Sequence, residues 1–180
     1  MRIAINCRSF LNRNFTGIGR YTHELVKSLS QIDHANEYLL YTPKGLFHFR
    51  RRIPFLRAPK FSFKADPFRR GLEKTLGAVD VYHAPSPEHL NIQGDSTKVV
   101  VTIHDLIISH YPQSRATTLN PFLYQIKLFF YRWVVKSAAK RAKKIIAVSN
   151  YTKNDVVKLL SVKPEKISVV YEGVDLPSGI

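Results

Sequence analysis

Polar and ionisable side chains stand where several short apolar runs of this chain end. Their imidazole, carboxylate and hydroxyl groups can hydrogen-bond a polar ligand or carry a proton during a reaction. In chain order they are Asn6 and Arg8, His83 to Glu88, His104 and Asp105, Ser149 to Tyr151, and Glu172 to Asp175. If the runs are strands of one parallel sheet, these residues gather at the edge where such sheets bind ligands.

A second candidate site opens the first predicted helix, where Gly17 and Gly19 stand one residue apart. Glycines in the first turn of a helix let backbone amides approach an anion closely, and the helix dipole favours negative charge there. Arg20 adds a charged donor. The alternative is that Thr16 caps the helix and the glycines only permit a tight entry. The residues themselves leave both interpretations open.

The spacing of these glycines does not fit the common nucleotide-binding loops. A dinucleotide fingerprint needs G-x-G-x-x-G directly after a strand, but Thr22 stands at the third glycine position. The loop before Gly17 is also about ten residues long, where the fingerprint has a tight turn. No G-K-[ST] occurs in the sequence, so a Walker loop is absent. A nicotinamide or flavin site is therefore not expected.

The elements that must position these residues alternate between strand and helix. Apolar runs predict strands over 2–6, 37–42, 79–84, 98–105, 144–149 and 166–175. Helical spacing predicts helices over 17–31, 66–78, 120–143 and 150–160. The segment 44–64 has no clear period and is expected to be an irregular excursion. The alternation predicts an α/β fold with a Rossmann-like, doubly wound, mostly parallel sheet and helices on both faces.

Composition bounds the class of protein and of partner. The 180 residues, 44% of them hydrophobic, suit one globular domain. A total of 28 Lys and Arg against 13 Asp and Glu gives a formal charge of +15. Such a charge favours anionic partners, whether nucleic acid, acidic lipid or a phosphorylated substrate. The alternative is that an acidic counterpart lies in a part of the protein outside this sequence.

The sequence also bears on localisation. Its first residues lack the pattern of a signal peptide, and no apolar run approaches the ~20 residues of a membrane span. The single cysteine, Cys7, rules out an intramolecular disulfide and fits a reducing compartment. We therefore expect a soluble cytoplasmic protein that attaches at most peripherally to the inner face of the cytoplasmic membrane.

Four segments occur in the order and spacing of a known family. They are TGIGRYTHELVKSL, TIHDLIISHYP, AKKIIAVSNYTKNDV and KISVVYEGVD. Together they resemble the GT4-type retaining glycosyltransferases of GT-B architecture over nearly the whole chain, most weakly between 44 and 74. The resemblance implies an N-terminal domain that mainly holds the acceptor, facing a C-terminal domain that holds a nucleotide-sugar donor. Residues 1–175 would be the first domain and 176–180 the start of a linker to the second, so this chain alone is expected to be inactive.

The resemblance also implies roles for individual residues. Gly17, Gly19 and Arg20 would border the donor diphosphate, and His104 would hydrogen-bond the transferred sugar or its developing charge. Asp105 would orient His104 or cap the loop that follows. The residues expected to line the acceptor pocket are His83, Ser86, Glu88, Ser149 and Tyr151. For either histidine the alternative is a buried, hydrogen-bonded side chain of the core.

No metal ion, no other cofactor and no protein nucleophile is expected from the resemblance. The donor phosphate would help to deprotonate the acceptor hydroxyl in a front-face reaction. His104 and Asp105 do not form a metal-ligand set that would change this expectation. Glu172 stands where the family often has Asn, and no function is assigned to it.

A long basic and aromatic helix over 121–144 suggests a contact with membranes. Projected at about 100° per residue, its sheet-facing side is predicted to carry Leu123, Phe130, Val134, Ala138 and Ala142. Its outer side is predicted to carry Phe129, Arg132, Trp133, Lys136 and Lys140. Cations and bulky aromatics on an outer surface can lie on an anionic membrane, which favours a lipid-linked acceptor. The alternative is a solvated charged face with both aromatics packed under the segment 44–64.

The leading interpretation is the acceptor-side domain of a hexosyltransferase, with a nucleotide-sugar donor and a saccharide or lipid-linked acceptor. The alternative is a non-catalytic basic module that binds anionic lipid or nucleic acid. No RNA-binding motif or helix-turn-helix is recognisable, so no nucleic-acid partner is expected. Half of a sugar-nucleotide epimerase would need a set of catalytic carboxylates that the sequence does not show.

Overall fold

Seven parallel strands form one sheet in the computed structural model, which describes residues 1–11, 17–42, 60–65, 77–89, 97–110 and 120–173. In chain order they are β1 (Arg2–Asn6), β2 (Glu37–Thr42), β3 (Phe61–Ala65), β4 (Val81–Ala84), β5 (Lys98–Ile103), β6 (Lys144–Ala147) and β7 (Ile167–Val169). Their order in the sheet is β3-β2-β1-β4-β5-β6-β7. The winding reverses between β1 and β4, which is where such sheets bind ligands.

Helices cover both faces of this sheet. The described residues include α1 (Gly17–Ile32), α2 (Ile107–His110), α3 (Pro121–Arg141) and α4 (Asn150–Leu160). Val26 of α1 packs with Ile5 on one face, while Val135 of α3 and Val156 of α4 pack with Val101 on the other. Successive strand residues point to opposite faces, so a strand covered on both sides must be apolar at nearly every position. The predicted α/β, doubly wound fold is confirmed.

Cys7 lies directly after β1, in the core that α1 covers. Its side chain is fully buried, and its Sγ lies 3.6 Å from the carbonyl oxygen of Ile5. Burial raises the pKa of the thiol far above its ordinary value. Because the thiolate is the reactive form, this cysteine is chemically inert in the folded protein.

Strand β3 lies where the sequence predicted an irregular excursion over 44–64, so that prediction is wrong for its last residues. β3 pairs with β2 at the edge of the sheet, and Phe61 stands opposite Tyr38 in the register. Their rings stack with centroids 4.7 Å apart. Contacts with β2 therefore stabilise β3, and its own short sequence does not predict them. Residues 66–76, most of a predicted helix, lie outside the described residues.

Several strands end earlier than predicted. β5 ends at Ile103, β6 at Ala147 and β7 at Val169. After β6 the backbone leads into a helix start: Ser149 is the N-cap of α4, and its Oγ accepts a hydrogen bond from the amide of Thr152 at 3.0 Å. The polar residues at the strand ends therefore belong to turns, as a ligand-binding edge requires.

Helix α3 corrects the projection made from its sequence. Its buried residues are Leu128, Val135, Ala138 and Ala139. Ala138 and Ala142 were predicted on that face and are buried, and Val134 is half-buried, but Leu123 and Phe130 are 54% and 58% exposed. The amide of Lys143, just past the helix, donates to the carbonyl of Val99 at the start of β5. A 21-residue helix is about 31 Å long and six residues of strand about 20 Å, so the first turns of α3 project beyond the carboxyl edge of the sheet.

Replacing Ser149 by Ala should lower the free energy of unfolding by about 1 kcal/mol, because the amide of Thr152 loses its acceptor at the helix start. Ser149→Asp keeps an acceptor at the N-cap and should stay within about 0.5 kcal/mol of the parent. Urea denaturation followed by circular dichroism measures both variants. An alanine variant as stable as the parent would show that the cap does not stabilise α4.

Candidate active site

A pocket of about 140 Å³ opens at the carboxyl edge of the sheet, beside the ends of β4 and β5. Its lining residues are Ile18, Ser86, Pro87, Glu88, His104, Asp105, Ile108, Tyr131 and Val135. They come from the first turn of α1, from the turns after β4 and β5, and from α2 and α3. Complete small-molecule sites usually measure ~300–1,000 Å³, so the described residues enclose less volume than such a site usually has.

His104 is a polar side chain of the pocket whose ring is positioned by three contacts. Its Nδ1 lies 2.9 Å from Oε1 of Glu172, and its Nε2 lies 3.1 Å from the carbonyl oxygen of Pro85. The ring of Tyr21 meets it edge-on, with centroids 4.8 Å apart. Carboxylate and carbonyl oxygens both accept hydrogen bonds, so an imidazole that donates from both nitrogens satisfies both contacts. The arrangement holds the imidazole of His104 at the edge of the pocket between two oxygen acceptors.

Asp105 serves one of the two roles expected of it. Its Oδ1 accepts the amide of Ile107 at 3.1 Å, so it caps α2. No contact between its carboxylate and His104 is among those of the described residues; the carboxylate of Glu172 contacts the ring instead. Sequence reasoning assigned Glu172 no function. The signal that could have found it is its place after β7, at the same edge as the other strand-end residues.

A buried polar chain runs beneath His104. Thr102 of β5 lies with its Oγ1 2.8 Å from Nε2 of His83 and 3.2 Å from the hydroxyl of Tyr21. Burial first, and the neighbouring His104 second, lower the pKa of His83 to about 4, so this ring is neutral near pH 7. His83 is 8% exposed and does not line the pocket. Its environment matches the alternative of a hydrogen-bonded core histidine.

The other residues predicted to line the acceptor pocket divide into two groups. Ser86 and Glu88, on the turn after β4, do line it. Ser149 and Tyr151 do not, because Ser149 caps α4 and Tyr151 is 68% exposed. α4 supports the site in another way: the hydroxyl of Thr152 donates to the carbonyl of His104 at 3.0 Å.

Short helix α2 forms one side of the pocket through Ile108. Its end is tied to α4, because Nε2 of His110 lies 3.0 Å from Oδ1 of the buried Asp155. A buried carboxylate needs such a partner. The pair therefore fixes the position of α2 relative to the sheet.

The glycines of α1 stand beside this pocket. Ile18, between them, lines it, while Gly17 is exposed and Gly19 is buried. A Cβ added to Gly17 would meet no atom of the described residues within 4 Å. Packing within the described structure therefore does not require glycine at 17. Thr16, the alternative cap, lies outside the described residues, and Arg20 is exposed on the first turn.

No three or more His, Cys, Asp or Glu side chains in the part of the chain that the structure describes converge as metal ligands would. Nor does any helix within it combine the length and the apolar character needed to cross a bilayer.

A sequence profile of Glycosyltransferase Family 4 matches residues 15–177. The match covers most of the chain, including the first turn of α1, the pocket and the end of β7. The chain belongs to Glycosyltransferase Family 4. The resemblance inferred from the four sequence segments is thereby confirmed.

Individual proteins resemble the chain either over only part of its length or at low sequence identity. The O-antigen chain mannosyltransferase RfbU of Salmonella typhimurium (strain LT2) is 32% identical over 75 residues, which are 42% of this chain and 18% of that protein. Among solved structures, the wall teichoic acid polymerase TagF superposes with a TM-score of 0.49 at 9% identity, covering 93% of this chain and 37% of that chain. The chain thus spans less than half the length of either protein. The division into domains stays a prediction.

The pKa of His83 predicts how stability depends on pH. An unfolded histidine titrates at about 6.5 and the folded one at about 4, so between these values the unfolded chain binds more protons. The contribution of His83 should be complete above about pH 6.5 and should fall as the pH drops toward 4, by up to about 3 kcal/mol. Urea denaturation at pH 7 and pH 5 measures this loss.

His83→Gln provides the matched control, because its amide can still hydrogen-bond Thr102 but does not titrate. The loss of stability between pH 7 and pH 5 should be smaller in this variant than in the parent. Equal losses in the two proteins would contradict the assignment to His83.

Proposed function

We propose that the complete protein is a retaining hexosyltransferase, which transfers a hexose from a nucleotide-sugar donor to a saccharide or lipid-linked acceptor. In this proposal the present chain supplies the acceptor side and does not turn over alone, because transfer needs both substrates in one closed site. The observation that carries the proposal is His104, held at the pocket by Pro85 and Glu172 beside the first turn of α1. Membership of Glycosyltransferase Family 4 supports the class of reaction.

The two contacts of His104 differ in how readily an oxygen atom of a ligand could replace them. Its Nε2 faces the backbone carbonyl of Pro85, and Pro85 is buried. Its Nδ1 faces the carboxylate of Glu172, a side chain that is 50% exposed and can rotate into solvent. We infer that a sugar or phosphate oxygen takes the place of Glu172 at Nδ1. Until then the carboxylate keeps a proton on that nitrogen and fixes the ring.

The remaining residues act on the two substrates. Amides of Gly17 and Gly19, together with Arg20, would face the donor diphosphate, since a helix start favours negative charge. Ser86 and Glu88 would hydrogen-bond the acceptor. The family resemblance implies a front-face reaction in which the donor phosphate helps to deprotonate the acceptor hydroxyl. We carry over its expectation that no metal ion and no protein nucleophile takes part.

His104→Ala in the complete protein should reduce kcat/KM for transfer at least ~100-fold, as removal of a preorganised donor does elsewhere. The loss follows because alanine has no hydrogen-bond donor at the position of Nδ1. The control is His34→Ala, since His34 is exposed and does not line the pocket. Transfer from the expected class of donor is measured with a radiolabelled nucleotide sugar.

Gly17→Val tests the helix start in the same assay. Because a Cβ at this position meets no described atom, the variant should fold normally and still lose transfer if the backbone amide approaches the donor. Parental rates in both the His104 and the Gly17 variants would remove these site assignments.

We also propose that the outer face of α3 contacts anionic membranes. Phe122, Phe129 and Trp133 are 72%, 67% and 61% exposed, so no described element covers these aromatics; most of the segment 44–64, which the alternative placed over them, lies outside the described residues. Lys136 and Lys140 continue the same face toward the end of the helix and are exposed. Exposed aromatics beside cations are typical of helices that lie in the membrane interface. The contact would bring a lipid-linked acceptor near the pocket and place the protein peripherally at the inner face of the cytoplasmic membrane.

The same surface favours the second candidate function, a basic module that binds anionic lipid without catalysis. The transfer assay separates the two candidates. Membrane binding together with full loss of transfer in His104→Ala supports the enzyme, whereas membrane binding with no transfer by the complete parent protein supports the module.

Trp133 is the single tryptophan of the chain and reports on this contact directly. Its emission should shift to the blue with vesicles that contain phosphatidylglycerol and stay unchanged with phosphatidylcholine alone. Phe129→Ser should weaken binding to the anionic vesicles roughly tenfold, because it removes a ring that inserts into the interface. Tyr151→Ser, which removes an exposed ring from α4, should bind as the parent does. Equal binding to neutral and anionic vesicles would exclude the contact as stated.

A further inference from the structure

A larger cavity lies at the opposite edge of the sheet from the pocket. This groove, which we call the lysine groove, measures about 680 Å³. It lies between the last turns of α3, the end of α4 and the turn Pro164–Lys166 that precedes β7. Its lining residues are Lys136, Ala139, Lys140, Ala142, Lys143, Lys144, Leu160, Ser161, Val162, Lys163, Glu165 and Lys166.

The groove combines an apolar floor with a cationic rim. Ala139, Ala142, Leu160 and Val162 are buried and belong to the core on that face. The six lysines surround them, and Glu165 is the one acidic residue of the lining. A ligand that fits this surface carries negative charge next to apolar groups.

Two of the lysines are used by the fold. The ammonium of Lys166 donates to the carbonyls of Ala139 and Lys140 at 2.8 and 2.9 Å, which satisfies acceptors at the end of α3. The ammonium of Lys144 donates to the carbonyl of Glu165 at 2.8 Å. Burial, and then the charge of Lys143, lower the pKa of Lys166. Lys143 and Lys166 are thus close enough to repel each other.

The other four lysines have no such use. Within the described residues no hydrogen bond or ion pair is made by the ammonium groups of Lys136, Lys140, Lys143 and Lys163, and all four are exposed. An anion placed among them gains their attraction and relieves their mutual repulsion. The charge of the groove is therefore available to a ligand.

The exposed face of α3 indicates which kind of molecule carries that anion. At about 100° per residue, a stripe within an arc of about 80° carries Phe122, Ile126, Phe129, Trp133, Lys136 and Lys140. The stripe is about 27 Å long, with aromatic rings in its first part and the rim of the groove at its end. A flat surface with an apolar layer and a phosphate layer meets both parts at once, whereas free nucleic acid meets only the second.

We propose that the lysine groove binds the phosphate headgroups of anionic phospholipids in a bilayer on which α3 lies. This inference rests on the membrane contact proposed above, but it does not depend on transferase activity. It assigns a headgroup site to Lys143 and Lys163, which lie outside the stripe, and it predicts that charge at these positions matters more than equal charge elsewhere.

The test compares two variants of equal charge. Lys143→Glu/Lys163→Glu changes the groove, and Lys127→Glu/Lys158→Glu changes two exposed lysines that do not line it. Sedimentation with vesicles of phosphatidylcholine and phosphatidylglycerol gives the partition coefficient, and circular dichroism verifies the fold of each variant. We expect the groove variant to bind at least tenfold more weakly than the parent, and the control to bind within about threefold.

Each other outcome overturns a defined part of the proposal. If both variants weaken equally, net charge and not the groove governs binding, and the membrane contact alone stands. If inorganic phosphate at constant ionic strength displaces the vesicles, an isolated phosphate is sufficient and the lipid assignment is wrong. If the parent ignores anionic vesicles but binds a single-stranded oligonucleotide through the groove, the partner is nucleic acid. None of these results bears on transfer of a hexose, which the His104 variant tests separately.

Discussion

The burial of β5 on both faces is the constraint on which the pocket depends. Side chains of α3 and α4 cover one face, and α1 approaches the other through Tyr21. A polar side chain inside such a strand needs a partner in the core, and Thr102 finds one in His83. The first polar residue able to face a ligand is therefore His104, directly beyond the strand. The burial of apolar side chains in the sheet thus determines where the pocket lies. The residues of the turns supply its polar groups.

Helix α3 connects the two edges of the sheet because it is longer than the strands it covers. Tyr131 and Val135 line the pocket from its buried side, while Lys136 and Lys140 line the groove at the opposite edge. Small side chains such as Ala138 let its second half lie close to the sheet. Its first turns project beyond the edge of the sheet, and Phe122 and Leu123 there are exposed. One packing geometry therefore produces both the support of the pocket and the apolar outer surface.

Sequence reasoning located the sheet and its ligand-binding edge because both follow from short patterns. β-branched runs mark strands buried on both faces, and the residue after the run, such as His104, marks the edge. It could not find the pairing of His104 with Glu172, since 68 residues separate them. It missed β3 because this short edge strand is defined by its pairing with β2, which includes the stacking of Phe61 on Tyr38. It placed Leu123 on the sheet-facing side of α3. The exposure of this residue depends on how far the helix extends beyond the sheet, and the spacing of apolar residues does not report that length.

The burial of Cys7 makes the native chain suitable for labelling at a single chosen position. The sequence holds no second cysteine, and this one is fully enclosed. A cysteine introduced on the surface would be the reactive thiol of the folded protein without any need to replace the native one. A fluorophore or spin label attached there, together with Trp133 as the single native indole, gives two unique probes in one molecule. Distances from chosen positions on α3 and on the sheet edges to a bilayer can then be measured in the otherwise unaltered sequence.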